Sequence, residues 1–173
     1  QKYGILPFCG AKTCKFQLGW MRNKQLLTKG QYIMTDIPFI VTAAWLRDYC
    51  GENNLKVLDA SSHLPTTKRD AQAEFFAQRI SGAGRFDINL IADKSSPLPH
   101  TLPSSEVFAA HMQALGLNDE DHIIVYCDSS HLSAARAWWM LRLFGHARVS
   151  VLNGGLKNWI ANGGATDSGR ETP

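Results

Sequence analysis

The chain predicts an α/β domain of three layers, a parallel sheet of about five strands with helices on both faces. Three observations predict it. Short apolar, β-branched runs recur, LKVLDA at 55–60, HIIVYC at 122–127 and VSVLNGG at 149–155, and the first two read as strands buried on both sides. Helical patterns alternate with them at the spacing of βαβ units. The first two strands open into polar loops, SSHLPTTKRD and DSSHLS.

Taken in order, the domain begins near Ile37. Thr42 is placed to cap a short helix, AAWLRDYC, that stops at Gly51. After the strand ending at Asp59 and its polar loop, AQAEFFAQR (71–79) reads as a helix with Phe75 and Phe76 inward. In ISGAGRFDIN (80–89), Gly82 and Gly84 read as turn residues before a short strand. DKSSPLPHTLP (93–103) is rich in Pro and Ser and reads as an irregular surface crossing. Ser104 or Ser105 caps EVFAAHMQALG, which ends at Gly116. The strand HIIVYC and the helix AARAWWMLRLFG follow, then VSVLNGG and a closing helix, LKNWIANGG. Trp138, Trp139 and Trp159 read as core. Residues 165–173 read as a linker or tail, and no internal repeat is visible.

With 173 residues, 45% hydrophobic and 19% charged, the chain fits one globular domain with a core. No apolar run reaches the roughly 18 residues that would cross a bilayer, so no membrane partner is expected. The net charge of +3 is too small to argue for nucleic acid. It is also uneven. Residues 1–35 hold Lys2, Lys12, Lys15, Arg22, Lys24 and Lys29 and no acid, which leaves 12 basic and 15 acidic residues in the remainder. The organisation expected is a loosely ordered basic leader (1–35), a domain (36–164) and a tail (165–173). The leader resembles a mitochondrial transit peptide in charge but has one Arg and no Ser. The preferred reading takes Met34 as the natural start. Cys9, Cys14, Cys50 and Cys127 suggest no disulfide framework. Cys9 and Cys14 form at most half a metal site, with no second pair at matching spacing. Four free thiols point to a reducing compartment, cytoplasmic or alternatively mitochondrial.

The stretch from His122 to Gly145 organises the rest. A buried strand ending in Cys127 and feeding a loop before a helix puts that sulfur at the carboxyl edge of the sheet, where open α/β sheets bind ligands. The loop amides and the first turn of the helix favour a thiolate there. Asp128 opposes this with a negative charge beside the sulfur. The same position also suits an inert cysteine that ends a buried strand. Neither GxGxxG after the first strand nor GxxxxGK[ST] occurs, so dinucleotide and P-loop nucleotide binding are not expected, and no cofactor is implied.

Several motifs together resemble the rhodanese-like sulfurtransferases, most closely the amino-terminal domain of their two-domain mercaptopyruvate or thiosulfate members. They are LDAS (58–61), RISGAGRFDI (79–88), SPLPH (96–100), LPSSEVFA (102–109), SAARAWWMLRLFGH (133–146) and VLNGGLKNW (151–159). The resemblance runs from about residue 38 to residue 164. It implies a rhodanese-like three-layer fold. It also implies a thiolate that takes a sulfane sulfur, holds it as a persulfide and passes it to a thiol or to cyanide, covalent catalysis by an activated nucleophile. In two-domain members the catalytic Cys sits in the second domain, and the first usually holds Asp where Cys127 stands here. The loop also departs from the Gly and Val that precede Thr-Ala in active members. A rhodanese-like phosphatase would need an Arg where Ser133 stands, so phosphatase chemistry is not expected.

The catalytic candidate is therefore Cys127. The candidate substrate-binding residues are Asp128, Ser129, Ser130, His131, Leu132, Ser133, Arg136 and His100. His131 also reads as a solvated loop residue. Arg136, on the first turn of its helix, also reads as a structural partner of Asp59 or Asp87. His100 matches a family His facing the partner domain's active site, and its companion Asp is Asn89 here. Asp59 reads as structural. Two functions follow. One is a sulfurtransferase working through Cys127 on a small sulfur donor and a thiol acceptor. The other is a non-catalytic rhodanese-homology domain that supports a second, catalytic domain, to which the ending GRETP would be a linker.

Overall fold

The computed structural model describes residues 37–129 and 132–170. The expectations for the leader, for Ser130 and His131, and for residues 171–173 lie outside the described residues.

The elements run β1 (Ile40–Val41), α1 (Ala43–Tyr49), β2 (Leu55–Asp59), a 3-10 turn (Pro65–Thr67), α2 (Ala71–Ala77), β3 (Arg79–Ile80), β4 (Gly84–Arg85) and α3 (Ile88–Ile91). They continue with α4 (Ser105–Ala114), β5 (His122–Tyr126), α5 (Ser133–Leu143), β6 (Val149–Leu152), α6 (Gly155–Ala161) and β7 (Thr166–Asp167). Side-chain caps start four of the helices. Thr42 Oγ1 accepts from the Trp45 N–H, Asp70 from Gln72 and Ala73, Asp87 from Asn89, and Ser104 from Val107. α5 has no side-chain cap. Leu132 instead enters it in the left-handed region, at φ 55°.

The main sheet has the order β1-β6-β5-β2-β4, and every pairing in it is parallel. β2 and β5 lie in register from Leu55 with His122 to Asp59 with Tyr126. All five residues of β5 are buried, which is why that run carries no polar alternation. Its side chains still divide by the strand period of two. Ile123 and Val125 join Leu58, Phe108, Met112, Ala137, Met140 and Leu141 under α4 and α5. Ile124 and Tyr126 join Val57, Leu46, Leu152, Ile80 and Trp159 under α1 and α6. The sheet is thus covered on both faces, and the expected three-layer architecture with five parallel strands is the one observed.

Five local expectations are corrected. α2 ends at Ala77, because Gln78 and Arg79 are extended and Arg79 starts β3. Phe75 is buried and Phe76 only half-buried. Gly84 is in β4, and the residues after it form the short helix α3 where a strand was expected, since Asp87 caps it. Part of the expected tail is a strand. β7 pairs antiparallel with β3, Arg79 with Asp167 and Ile80 with Thr166. The Arg79 guanidinium, buried, donates to the Gly169 carbonyl at 2.7 Å and holds the following residues down. Among the tryptophans, Trp159 is core, Trp138 is half-buried and Trp139 is exposed. No helix among the described residues is long and apolar enough to cross a membrane.

Candidate active site

β2 and β5 end level with each other, so the loops that follow them share the carboxyl edge of the sheet. Cys127 is the first residue beyond β5. It is half-buried against the core cluster under α4 and α5. Its carbonyl oxygen abuts the start of α6, where a Cβ on Gly155 would lie 2.3 Å from it. Gly155 is also left-handed, at φ +56°. Both the close approach and the backbone angle require glycine there. The Asp128 N–H donates to Ser61 Oγ at 2.9 Å, and the Ser61 N–H donates to the Asp59 carboxylate at 2.7 Å. A chain of hydrogen bonds from the end of β2 therefore holds the start of the Cys127 loop.

The Asp128 carboxylate does not stand alone. Oδ2 accepts from Arg69 Nη2 at 3.1 Å, and Oδ1 lies 3.3 Å from Lys157 Nζ. Arg69 in turn grips Glu74 through Nε at 2.7 Å and Nη2 at 2.8 Å. Glu74 Oε2 also lies 2.7 Å from His63 Nε2, and the His63 side chain is only 4% exposed. The hydrogen bond from Arg69, helped by His63, holds the Glu74 carboxyl below its ordinary pKa. The same pairing with Glu74, and then with Asp128, raises Arg69. The carboxylate expected to oppose a thiolate at Cys127 is thus paired with two cations, of which Arg69 is shared with Glu74.

The remaining candidates gather a few residues further along. Ser129 Oγ and Ser133 Oγ are hydrogen-bonded at 2.5 Å, tying the loop to the first turn of α5. Leu132, Ser133, Arg136 and His100 line a cavity of about 500 Å³ together with Ala60 and Phe86. Cys127 is not among the residues that line it. Arg136 forms no ion pair with Asp59 or Asp87, which corrects its expected structural role. It donates to the His100 carbonyl at 3.0 Å and stacks on the Trp139 ring, its guanidinium 4.5 Å from the ring centroid. Asp59 is taken by Arg85, at 3.4 Å, and Asp87 by the cap of α3. His100, at φ 57°, has Nε2 3.0 Å from Asn89 Oδ1. An amide orients the ring but accepts no proton from it.

The structure therefore divides the candidates into two neighbouring groups. Cys127, Asp128 and Ser129 lie at the end of β5, and Leu132, Ser133, Arg136 and His100 lie around the cavity. Ser130 and His131 lie outside the described residues. Sequence reasoning missed Ser61, Arg69, Lys157 and Gly155. Only the Lys-Arg-Asp run at 68–70, in the polar loop after β2, hinted at charge on this edge. Nothing in the spacing connects it with residue 157.

A parallel α/β domain whose central strand ends in a cysteine-led loop is a recognisable class of protein. The chain belongs to the rhodanese-like domain family, whose model matches residues 42–162. It is 45% identical over 131 residues to thiosulfate/3-mercaptopyruvate sulfurtransferase 2 of Arabidopsis thaliana, covering 76% of this chain and 38% of that protein. It is 43% identical over 122 residues to 3-mercaptopyruvate sulfurtransferase of Escherichia coli K12, covering 70% of this chain and 43% of the relative. The crystal structure of SseA from Escherichia coli, a 3-mercaptopyruvate sulfotransferase with the rhodanese fold, superposes with a TM-score of 0.72 at 39% identity, over 78% of this chain and 52% of that one. The chain spans less than half the length of these two curated relatives.

Proposed function

We propose that this domain transfers sulfane sulfur, with Cys127 as the nucleophile. The observation that carries the reading is the position of Cys127 at the carboxyl end of β5, at the head of the loop into α5, in a family whose relatives are named thiosulfate and 3-mercaptopyruvate sulfurtransferases. The Cys127 thiolate attacks the outer sulfur of thiosulfate. The S–S bond of the donor breaks, sulfite leaves with the electron pair, and a persulfide anion remains on Cys127. With 3-mercaptopyruvate the C–S bond breaks, its electron pair goes to the carbon as the enolate of pyruvate, the enolate takes up the proton lost from the thiol, and pyruvate leaves. An acceptor thiolate or cyanide then takes the terminal sulfur and returns the Cys127 thiolate. Backbone donors preorganised at the head of a loop favour such anions, as they do developing charge in acyl transfer. Leu132, Ser133, Arg136 and His100 form the walls against which donor and acceptor bind, with Ser129 tied to them through Ser133.

The reading places the protein in a reducing compartment, cytoplasmic or mitochondrial. Cys50 and Cys127 are both free, and one Arabidopsis relative at 43% identity is named as mitochondrial. A second rhodanese domain is the partner that would complete the donor site.

The test is sulfur loading of the intact protein. Incubation with thiosulfate or 3-mercaptopyruvate adds one sulfur atom by mass to the wild type and none to Cys127→Ser, and thiocyanate forms from cyanide only with the wild type. A folded wild type that takes sulfur from neither donor overturns the proposal and leaves a supporting role for the domain.

A further inference from the structure

Two guanidinium groups line one cavity beside β3 and β7. The cavity measures about 680 Å³, and Arg79 and Arg170 line it together with Gly82, Thr166, Asp167 and Ser168. It shares no residue with the cavity around Arg136 and His100, nor with the Cys127 loop. We propose that it is a second binding site, for a small molecule that presents a phosphate group to the free edge of Arg79. The proposal does not depend on the sulfur-transfer reading of Cys127.

Arg79 carries the argument. It is only 6% exposed, yet it forms no ion pair among the described residues. Its guanidinium lies over the Phe75 ring, 4.9 Å from the centroid, and Nη1 donates to the Gly169 carbonyl at 2.7 Å and the Phe75 carbonyl at 3.4 Å. Nε and Nη2 make no hydrogen bond among the described residues, and neither is sealed from solvent. Those two nitrogens form the side-on edge of the fork that meets two oxygens of a phosphate. A buried cation with no full counter-charge is costly, and a bound anion relieves that cost. Arg170 supplies a second cation. It is exposed, lies 6.0 Å over the Phe76 ring, and has no carboxylate partner among the described residues. Asp167 is the one acid in the lining, and both its oxygens are engaged. Oδ1 accepts from the Ser81 hydroxyl at 2.6 Å and Oδ2 from the Gly82 N–H at 2.9 Å. Those bonds, and then the charge of Arg79, hold its pKa below the ordinary carboxylate value. Two cations against one carboxylate leave the cavity positive. Its volume falls within the about 300–1,000 Å³ of small-molecule sites, which leaves room for the body of a phosphate monoester.

The test titrates the full chain with inorganic phosphate and with glycerol 3-phosphate at constant ionic strength, followed by calorimetry and by backbone amide shifts. Binding should saturate at one site per chain, with the largest shifts at Gly82 and Ser168. Arg170→Met should weaken it about fivefold, the effect of one charge a few ångströms away in a wet site. Arg79→Lys keeps the charge but loses the fork, and should weaken binding about tenfold. Arg170 is exposed, so its variant keeps the fold and decides the matter even where Arg79→Lys does not fold. Tighter binding of glycerol 3-phosphate than of phosphate identifies a monoester as the ligand, and equal or weaker binding identifies free phosphate. If neither probe saturates, if Arg170→Met binds as the wild type does, or if the shifts centre elsewhere on the molecule, the proposal is overturned.

Discussion

The Asp128 N–H donates to the Ser61 hydroxyl at 2.9 Å, across 67 positions of sequence. The bond joins the loop after β2 to the loop after β5, and it fixes the backbone immediately beyond Cys127. The Ser61 N–H is itself held by buried Asp59. The end of one strand thereby sets the geometry of the end of its neighbour.

Ser61→Ala should therefore loosen the Cys127 loop more than it unfolds the domain. Loss of one half-buried hydrogen bond costs about 1 kcal/mol. Denaturant unfolding should show that loss, and the alkylation rate of Cys127 by iodoacetamide should change while that of Cys50 stays the same. An unchanged Cys127 rate would mean that Ser61 does not set the loop.

Gly155→Ala should be far more damaging than its size suggests. The new methyl group would meet the Cys127 carbonyl at 2.3 Å, on a residue at φ +56°. Strain and overpacking together predict a loss of about 2–4 kcal/mol. Thermal unfolding checks it, and near-wild-type stability would show that the start of α6 yields easily.

Acid should weaken the fold through the amino end of the sheet. His122 is buried, bonded to Ser150 Oγ at 2.8 Å, and burial, with Arg148 and His146 nearby, pushes its pKa down to about 4. Burial lowers His146 as well, which Asp121 only partly offsets. Folded imidazoles stay neutral while unfolded ones take a proton below about 6.5, so stability falls from about pH 6.5 toward 4 and then levels off for this group. Denaturant midpoints measured across that range should drop, and His122→Gln should drop less steeply. Equal slopes in the two proteins would contradict the assignment.

Arg136 should matter to the 97–100 segment through shape as well as charge. Its guanidinium joins the His100 carbonyl to the Trp139 face. Arg136→Lys keeps the charge but loses the planar fork, so it should behave nearly like Arg136→Ala, each about 1 kcal/mol less stable. Faster amide exchange around His100 in both variants is the expected result. Full recovery by Lys would reduce the role of Arg136 to its charge.

The architecture was legible from short-range pattern. The β5 run HIIVYC announced a doubly covered strand, and Thr42 and Ser104 marked helix starts, because capping and strand period are local properties of the chain. Local pattern misled where pairing decided. RFDIN, after its glycines, reads as a short strand, yet only Arg85 belongs to one and Asp87 caps a helix there. Thr166–Asp167 looked like tail because two residues carry no period, and they are a strand only because β3 lies beside them.

At the site, the sequence by itself determined that a cysteine ends the central strand and that a polar loop and a helix follow it. The motifs between 58 and 159 placed it in its family. Only the tertiary structure decided what surrounds that cysteine. Arg69 and Lys157 reach Asp128 from segments 59 and 29 positions away, and Gly155 approaches Cys127 because α6 starts against the loop. Composition and spacing report what a residue is and how its neighbours repeat. The charge beside a thiol depends on which distant side chains the packed sheet delivers to one edge, and that is set by strand order and register.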